Sequence, residues 1–180
     1  MGKSLIKVLG VGVLSLGLLA ACGDAEVKEV SGEKHKSAEK TEKKEEKKPS
    51  FYKLGHTVSI DGMEVTINKV SWGHTIQGVP AEKGKVLRIE AAATNKSQDN
   101  GFVDSTEFQV YAADGQKYEG YFGNDDANMS GGELKKGKSQ TMILEFDVPE
   151  SKFYEVYYEP SFSLKDNAEI KYKVTKEEIK

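Results

Sequence analysis

From His56 onward, apolar and polar residues alternate with period two, the pattern of strands with one face buried and one face wet. Val58 and Ile60 alternate with Thr57 and Ser59, and the pair Asp61-Gly62 then supplies a hairpin turn. Met63, Val65 and Ile67 continue against Glu64, Thr66 and Asn68, and Leu87, Ile89, Ala91 and Ala93 against Arg88, Glu90 and Thr94. Phe108 and Val110 lead to a second turn pair, Asp114-Gly115, with Tyr118 on the return. Met142, Leu144, Phe146 and Val148 alternate with Thr141, Glu145 and Asp147 until Pro149 ends the strand. Tyr154, Val156 and Tyr158, then Ile170, Tyr172 and Val174, complete the series. Seven or eight short strands in about 120 residues, with no long 3.6-period segment, predict an all-β fold. The expected architecture is an antiparallel immunoglobulin-like β-sandwich over residues 50–180.

The preceding residues have a different pattern. Lys3 and Lys7 stand before an apolar run over 8–21 that is too short to span a bilayer and ends in small residues, as a secretory signal does. Leu19-Ala20-Ala21-Cys22 resembles the lipobox of bacterial lipoproteins, in which the cysteine is acylated with diacylglycerol and the chain is cut just before it. The resemblance implies a lipoprotein signal peptide over 1–21, a lipid attachment site at Cys22, and a cell-membrane location on the extracytoplasmic face. Two acyl chains would hold the protein far more firmly than one.

Residues 22–49 then read as a disordered Lys/Glu-rich tether. At the i,i+4 spacing of a helix, like charges dominate, as in Lys36/Lys40, Lys40/Lys44 and Glu42/Glu46. Almost nothing apolar is available to repay ordering. As a flexible coil this stretch would hold the domain roughly 25 to 30 Å from its anchor.

Charge and composition narrow the functional classes. Residues 50–180 carry 21 acidic against 16 basic side chains, and Arg88 is the single arginine. Such a surface lacks the basic stripe that a nucleic-acid backbone requires. Cys22 is the single cysteine, so the domain forms no disulfide between its sheets and offers no thiol for catalysis, redox chemistry or zinc.

In order along the chain, Gly55-His56-Thr57-Val58, Met63 to Ile67, Val86 to Asn95, Phe108 to Tyr111, Asp114 to Tyr118, Leu134 to Lys138 and Leu144 to Pro149 resemble the telokin-like, immunoglobulin-like domain designated DUF4352. The resemblance covers nearly all of residues 52–174. It implies a secreted or lipid-anchored bacterial protein and transfers no catalytic residues. Lys136 departs from the proline often found before the glycine of that turn.

The candidate sites are few. Asn124, Asp125, Asp126 and Asn128, with Asp99, Asn100 and Asp104, are oxygen donors of the kind calcium prefers, but their spacing matches no EF-hand. His35, His56 and His74 form no ligand cluster in sequence, so no metal and no cofactor are expected. No Gly-x-Ser-x-Gly elbow occurs, and catalytic activity is not expected. Among the aromatics, alternation assigns about half to the core. Tyr121, Phe122, Tyr157 and Phe162 are left between burial and exposure as a recognition patch. Trp72 and the Gly/Pro-rich loop 73–85 are a core edge or a binding loop. The function these features support is a lipid-anchored, non-catalytic binding protein, with an envelope protein or cell-wall component as partner. The alternative is a calcium- or small-ligand-binding accessory protein.

Overall fold

The computed structural model describes residues 27–31, 50–124, 126–128, 130–163 and 165–180. Eleven strands occur among them: β1 (Val27–Ser31), β2 (Thr57–Ile60), β3 (Met63–Trp72), β4 (Lys85–Asn95), β5 (Gly101–Asp104), β6 (Phe108–Ala112), β7 (Lys117–Tyr118), β8 (Gly131–Leu134), β9 (Ser139–Val148), β10 (Phe153–Tyr158) and β11 (Ile170–Thr175). One sheet has the order β1-β2-β3-β4-β9 and the other β11-β10-β6-β7, while β5 and β8 form a separate two-stranded ribbon. Every pair of strands is antiparallel. The fold is the β-sandwich that the alternation predicts.

Period-two side chains from the two sheets meet in one core. Val58, Ile60, Val65, Ile89, Met142 and Leu144 of the first sheet pack with Val110, Tyr154, Val156, Tyr158, Tyr172 and Val174 of the second. Register is specified because a one-residue slip would carry each buried row to the wet face. In β3 the phase does shift. The pairing moves from Ile67↔Ala91 to Lys69↔Glu90, so Asn68 is an extra residue, and the bulge returns Val70 to the buried side. The buried tyrosines keep their hydroxyls useful: Tyr172 donates across the core to the Val65 carbonyl at 2.7 Å, and Tyr154 to that of Pro149 at 2.5 Å. Phe108 stacks tilted against Tyr158 with ring centroids 4.9 Å apart.

The tether expectation needs correction over Val27–Ser31. This segment is an edge strand, with Val27 opposite Ile60 and Ser31 opposite Thr57. One side of its backbone pairs with β2, Val27 is buried in the core, and Glu29 accepts a 2.8 Å contact from His56. The pairing was invisible in sequence because the other side chains are polar or exposed, so the strand carries no alternation of its own. The signal peptide, Cys22 and the rest of the 22–49 stretch lie outside the described residues.

Leu144 is fully buried on β9, opposite Ile89 of β4. Leu144→Ala should therefore lower the unfolding free energy by about 3 kcal/mol, read from urea denaturation of the soluble domain.

Candidate functional site

One end of the sandwich gathers the turn Asp61-Gly62, the loop 96–100, the start of β5 and the loop 160–168 around an open groove of about 630 Å³. The local sequence explains the meeting. Asp61 and Gly62 both have positive φ, 48° and 86°, which closes the β2–β3 hairpin tightly. A Cβ on residue 62 would lie 2.9 Å from Ser97 Cα, so glycine lets the turn press on the loop 96–100. The Gly62 carbonyl accepts from Lys96 N at 2.7 Å.

Asn95, fully buried at the end of β4, holds the same loop. Its Nδ2 donates to the Asp99 and Leu134 carbonyls at 2.8 and 2.7 Å, and its Oδ1 accepts from the Ser97 backbone and hydroxyl at 2.9 and 2.7 Å. Both amide hydrogens and the carbonyl are thereby used. On the other wall, Asp61 accepts from Ser163 Oγ and Lys165 Nζ, each at 2.8 Å. Buried Glu107 accepts from Ser161 N at 2.7 Å, and its other oxygen from Asp104 N at 3.1 Å. These bonds fix the loop that carries Phe162. The groove is thus walled by apolar Met63, Phe102 and Phe162, with Asp99, Asn100, Glu133 and Lys165 at its polar edge.

A second constellation lies on the outer face of the first sheet, where β4 and β9 pair Arg88 with Glu145. That face should be wet, yet Val86 and Glu145 are buried. The segments after β3 and β7 fold over it. Tyr121 joins them, donating to the Val79 carbonyl at 2.6 Å and accepting from Ile76 N at 3.1 Å. Beneath this cover Arg88 donates to Glu145 at 2.6 Å and to Asp126 at 2.6 Å, and Asn124 donates to Glu145 at 2.5 Å. Asn128 braces the Glu145 backbone, donating to its carbonyl at 2.8 Å and accepting from its N–H at 3.0 Å. Asp126 is held below the usual carboxylate range, chiefly by the hydrogen bond from Arg88. The Arg88 guanidinium is pushed upward, chiefly by that same bond.

The structure separates the four aromatic candidates. Tyr121 is a correction: it is buried, because its hydroxyl has two backbone partners in the covering loop and its ring closes over the sheet. Phe122 is 72% exposed and lies by a smaller pocket between β6 and β9. Tyr157 is half-buried on the outer face of the second sheet, edge-on to Phe51 and Tyr111 at 6.5 and 5.0 Å, with Lys171 Nζ 5.1 Å from its ring centroid. Phe162 alone lines the groove. They form no single patch.

The oxygen donors divide as well. Asn124, Asp126 and Asn128 spend their side chains on the Arg88–Glu145 network, and Asp104 caps the short helix after β5 by accepting from Thr106 N. Asp99 and Asn100 reach the groove, while Asp125 lies outside the described residues. Trp72 is a core edge, T-shaped to Tyr154 at 6.2 Å with Lys85 above its ring at 4.5 Å. Glu145 and Asn95 escaped sequence reasoning because a lone polar residue in an alternating strand looks like an exposed one, and Glu107 because it lies in the short helix before β6, outside any alternation.

A family model described as "Domain of unknown function (DUF4352)" matches residues 52–170. The chain belongs to this family. Among solved structures, ycdA of Bacillus subtilis subsp. subtilis str. 168, described as "a putative lipoprotein", is 27% identical with a TM-score of 0.56. The match covers 64% of this chain and 37% of ycdA, so the DUF4352 protein spans little more than a third of that relative. The yjhA protein of Bacillus subtilis is 23% identical over 69% of this chain and 98% of its own, with a TM-score of 0.52. MPT63, a secreted protein from Mycobacterium tuberculosis, is 19% identical over 65% of this chain and 83% of its own, with a TM-score of 0.45. No curated protein matches the chain.

Two predictions test the loop-covered network. Arg88→Met leaves the Glu145 carboxylate buried without its cation and should cost about 3 to 4 kcal/mol in urea unfolding. Adding Glu145→Gln should restore at least half of that loss, since the uncompensated charge is then gone. The second prediction concerns acid. Asp126, Asp114 and Glu150 are all held below the usual range, the last two chiefly by the Gln116 N–H and by Lys176. Their contribution is present above the unfolded carboxylate values and is lost as pH falls through the lowered ones. The urea midpoint should stay level from pH 7 to about 5 and fall below about pH 4, with a shallower fall in Asp126→Asn.

Proposed function

We propose that this DUF4352 protein is a lipid-anchored, extracytoplasmic, non-catalytic binding protein of the bacterial cell envelope that engages an envelope component through its groove end. The observation that carries the anchoring is Leu19-Ala20-Ala21-Cys22 at the end of a short apolar run behind two lysines. The similarity to ycdA, described as "a putative lipoprotein", supports it. The binding role is supported by a groove with apolar walls and a polar edge, the usual make-up of a recognition site.

The calcium reading has lost most of its donors to internal bonds, which leaves the groove edge with Asp99, Asn100 and Glu133. A binding role through the groove walls is therefore preferred. Intact-mass measurement of protein extracted from membranes tests the anchor. The expected mass is that of residues 22–180 plus a diacylglyceryl group, and Cys22→Ala should abolish both the modification and membrane retention. An unmodified or uncleaved wild-type chain would overturn the anchored reading.

A further inference from the structure

The edge strand changes how far the domain can stand from its anchor. Val27 pairs with Ile60 in antiparallel sense, so the chain enters β1 beside the Asp61-Gly62 turn, at the rim of the groove. Cys22 precedes Val27 by five residues, a span of at most about 18 Å even at full extension. Residues 32–49 link β1 to Ser50 and contribute nothing to this reach.

On the reading that Cys22 is acylated, we propose that the sandwich docks its groove end onto the bilayer that holds its own anchor, with Phe102, Phe162 and the surrounding lysines as the contact surface. Phe102 is 42% exposed on β5, because the ribbon turns Val103 inward and its neighbour out. Lys96, Lys135, Lys136 and Lys138 are exposed around the same end, where the turn before β9 bonds back to Asn95 through Gly137 and Lys138. Together with Lys165 they oppose Asp61, Asp99, Glu133 and Asp166, whereas the domain as a whole has an acidic excess. An exposed aromatic at an end that also carries exposed lysines suits a lipid headgroup layer, and the lysines suit an anionic one. The short link makes the contact intramolecular, so a weak surface suffices.

The single tryptophan provides a built-in control. Trp72 ends β3, which begins at Met63 in the groove, so it lies roughly 30 Å from the docked end. The experiment uses full-length acylated protein in vesicles of phosphatidylcholine and phosphatidylglycerol with brominated acyl chains, which quench nearby indoles. Phe102→Trp in a Trp72→Phe background should be quenched at least twofold and shifted to the blue, while wild-type Trp72 should be unaffected. Val27→Asp should release β1 and abolish the quenching with the protein still anchored. Acylated protein whose Phe102→Trp emission is insensitive to bromine would overturn docking alone and leave the groove to a protein or wall polymer. Quenching that persists in Val27→Asp would overturn the role of β1. Absence of the diacylglyceryl group from wild type would overturn the anchored reading, and this inference with it.

Discussion

Two sheets face each other across a layer of aliphatic side chains and tyrosines, and in a domain without cysteine this apolar contact has to hold them together. Its strength depends on registration, since each sheet contributes alternate residues. The cross-sheet hydrogen bond from Tyr172 to the Val65 carbonyl adds direction to an otherwise non-directional attraction. Tyr158 is the exception among the described residues: its hydroxyl is buried without a hydrogen-bond partner. Burial, and then the neighbouring Glu107 carboxylate, raise its pKa and keep it protonated.

Because the core fixes the strands, it also fixes what happens at their ends. The groove is made by segments that would be independent in an extended chain, tied by polar residues of low exposure: Asn95 holds the loop 96–100, while Glu107 and Asp61 hold Ser161, Ser163 and Lys165. Rigid loops on a rigid frame form a surface of defined shape, and an exposed phenylalanine such as Phe102 can be held there without collapsing inward. The covering of Arg88 and Glu145 follows the same logic. Loop closure excludes water from a cross-strand ion pair, which makes the pair strong, and the second carboxylate and two asparagines satisfy what closure leaves over.

DUF4352 membership, the likeness to ycdA and yjhA and the sandwich agree on the fold, while the proposed envelope role is supported by the N-terminal motif and the groove. The two meet at β1. Val27–Ser31 adds a strand to the sheet only five residues after Cys22, so under the proposed anchoring this strand orients the domain toward the surface.

Much of the frame could be read from residues alone. Alternation located the strands from Thr57 to Val174 and identified their inward faces, since burial of every second side chain follows from strand geometry. Composition argued against nucleic acid and thiol chemistry, and Leu19 to Cys22 suggested the anchor. The tertiary structure decided the rest. It buried Tyr121 and Glu145, placed Phe162 apart from Phe122 and Tyr157, turned the oxygen donors Asn124, Asp126 and Asn128 into internal bracing, and added β1, β5 and β8. The physical reason is common to all of these. A period within one strand reports which face that strand buries, but a loop folding over a sheet, or a polar segment completing a ladder, depends on partners distant in sequence whose contact no local pattern records.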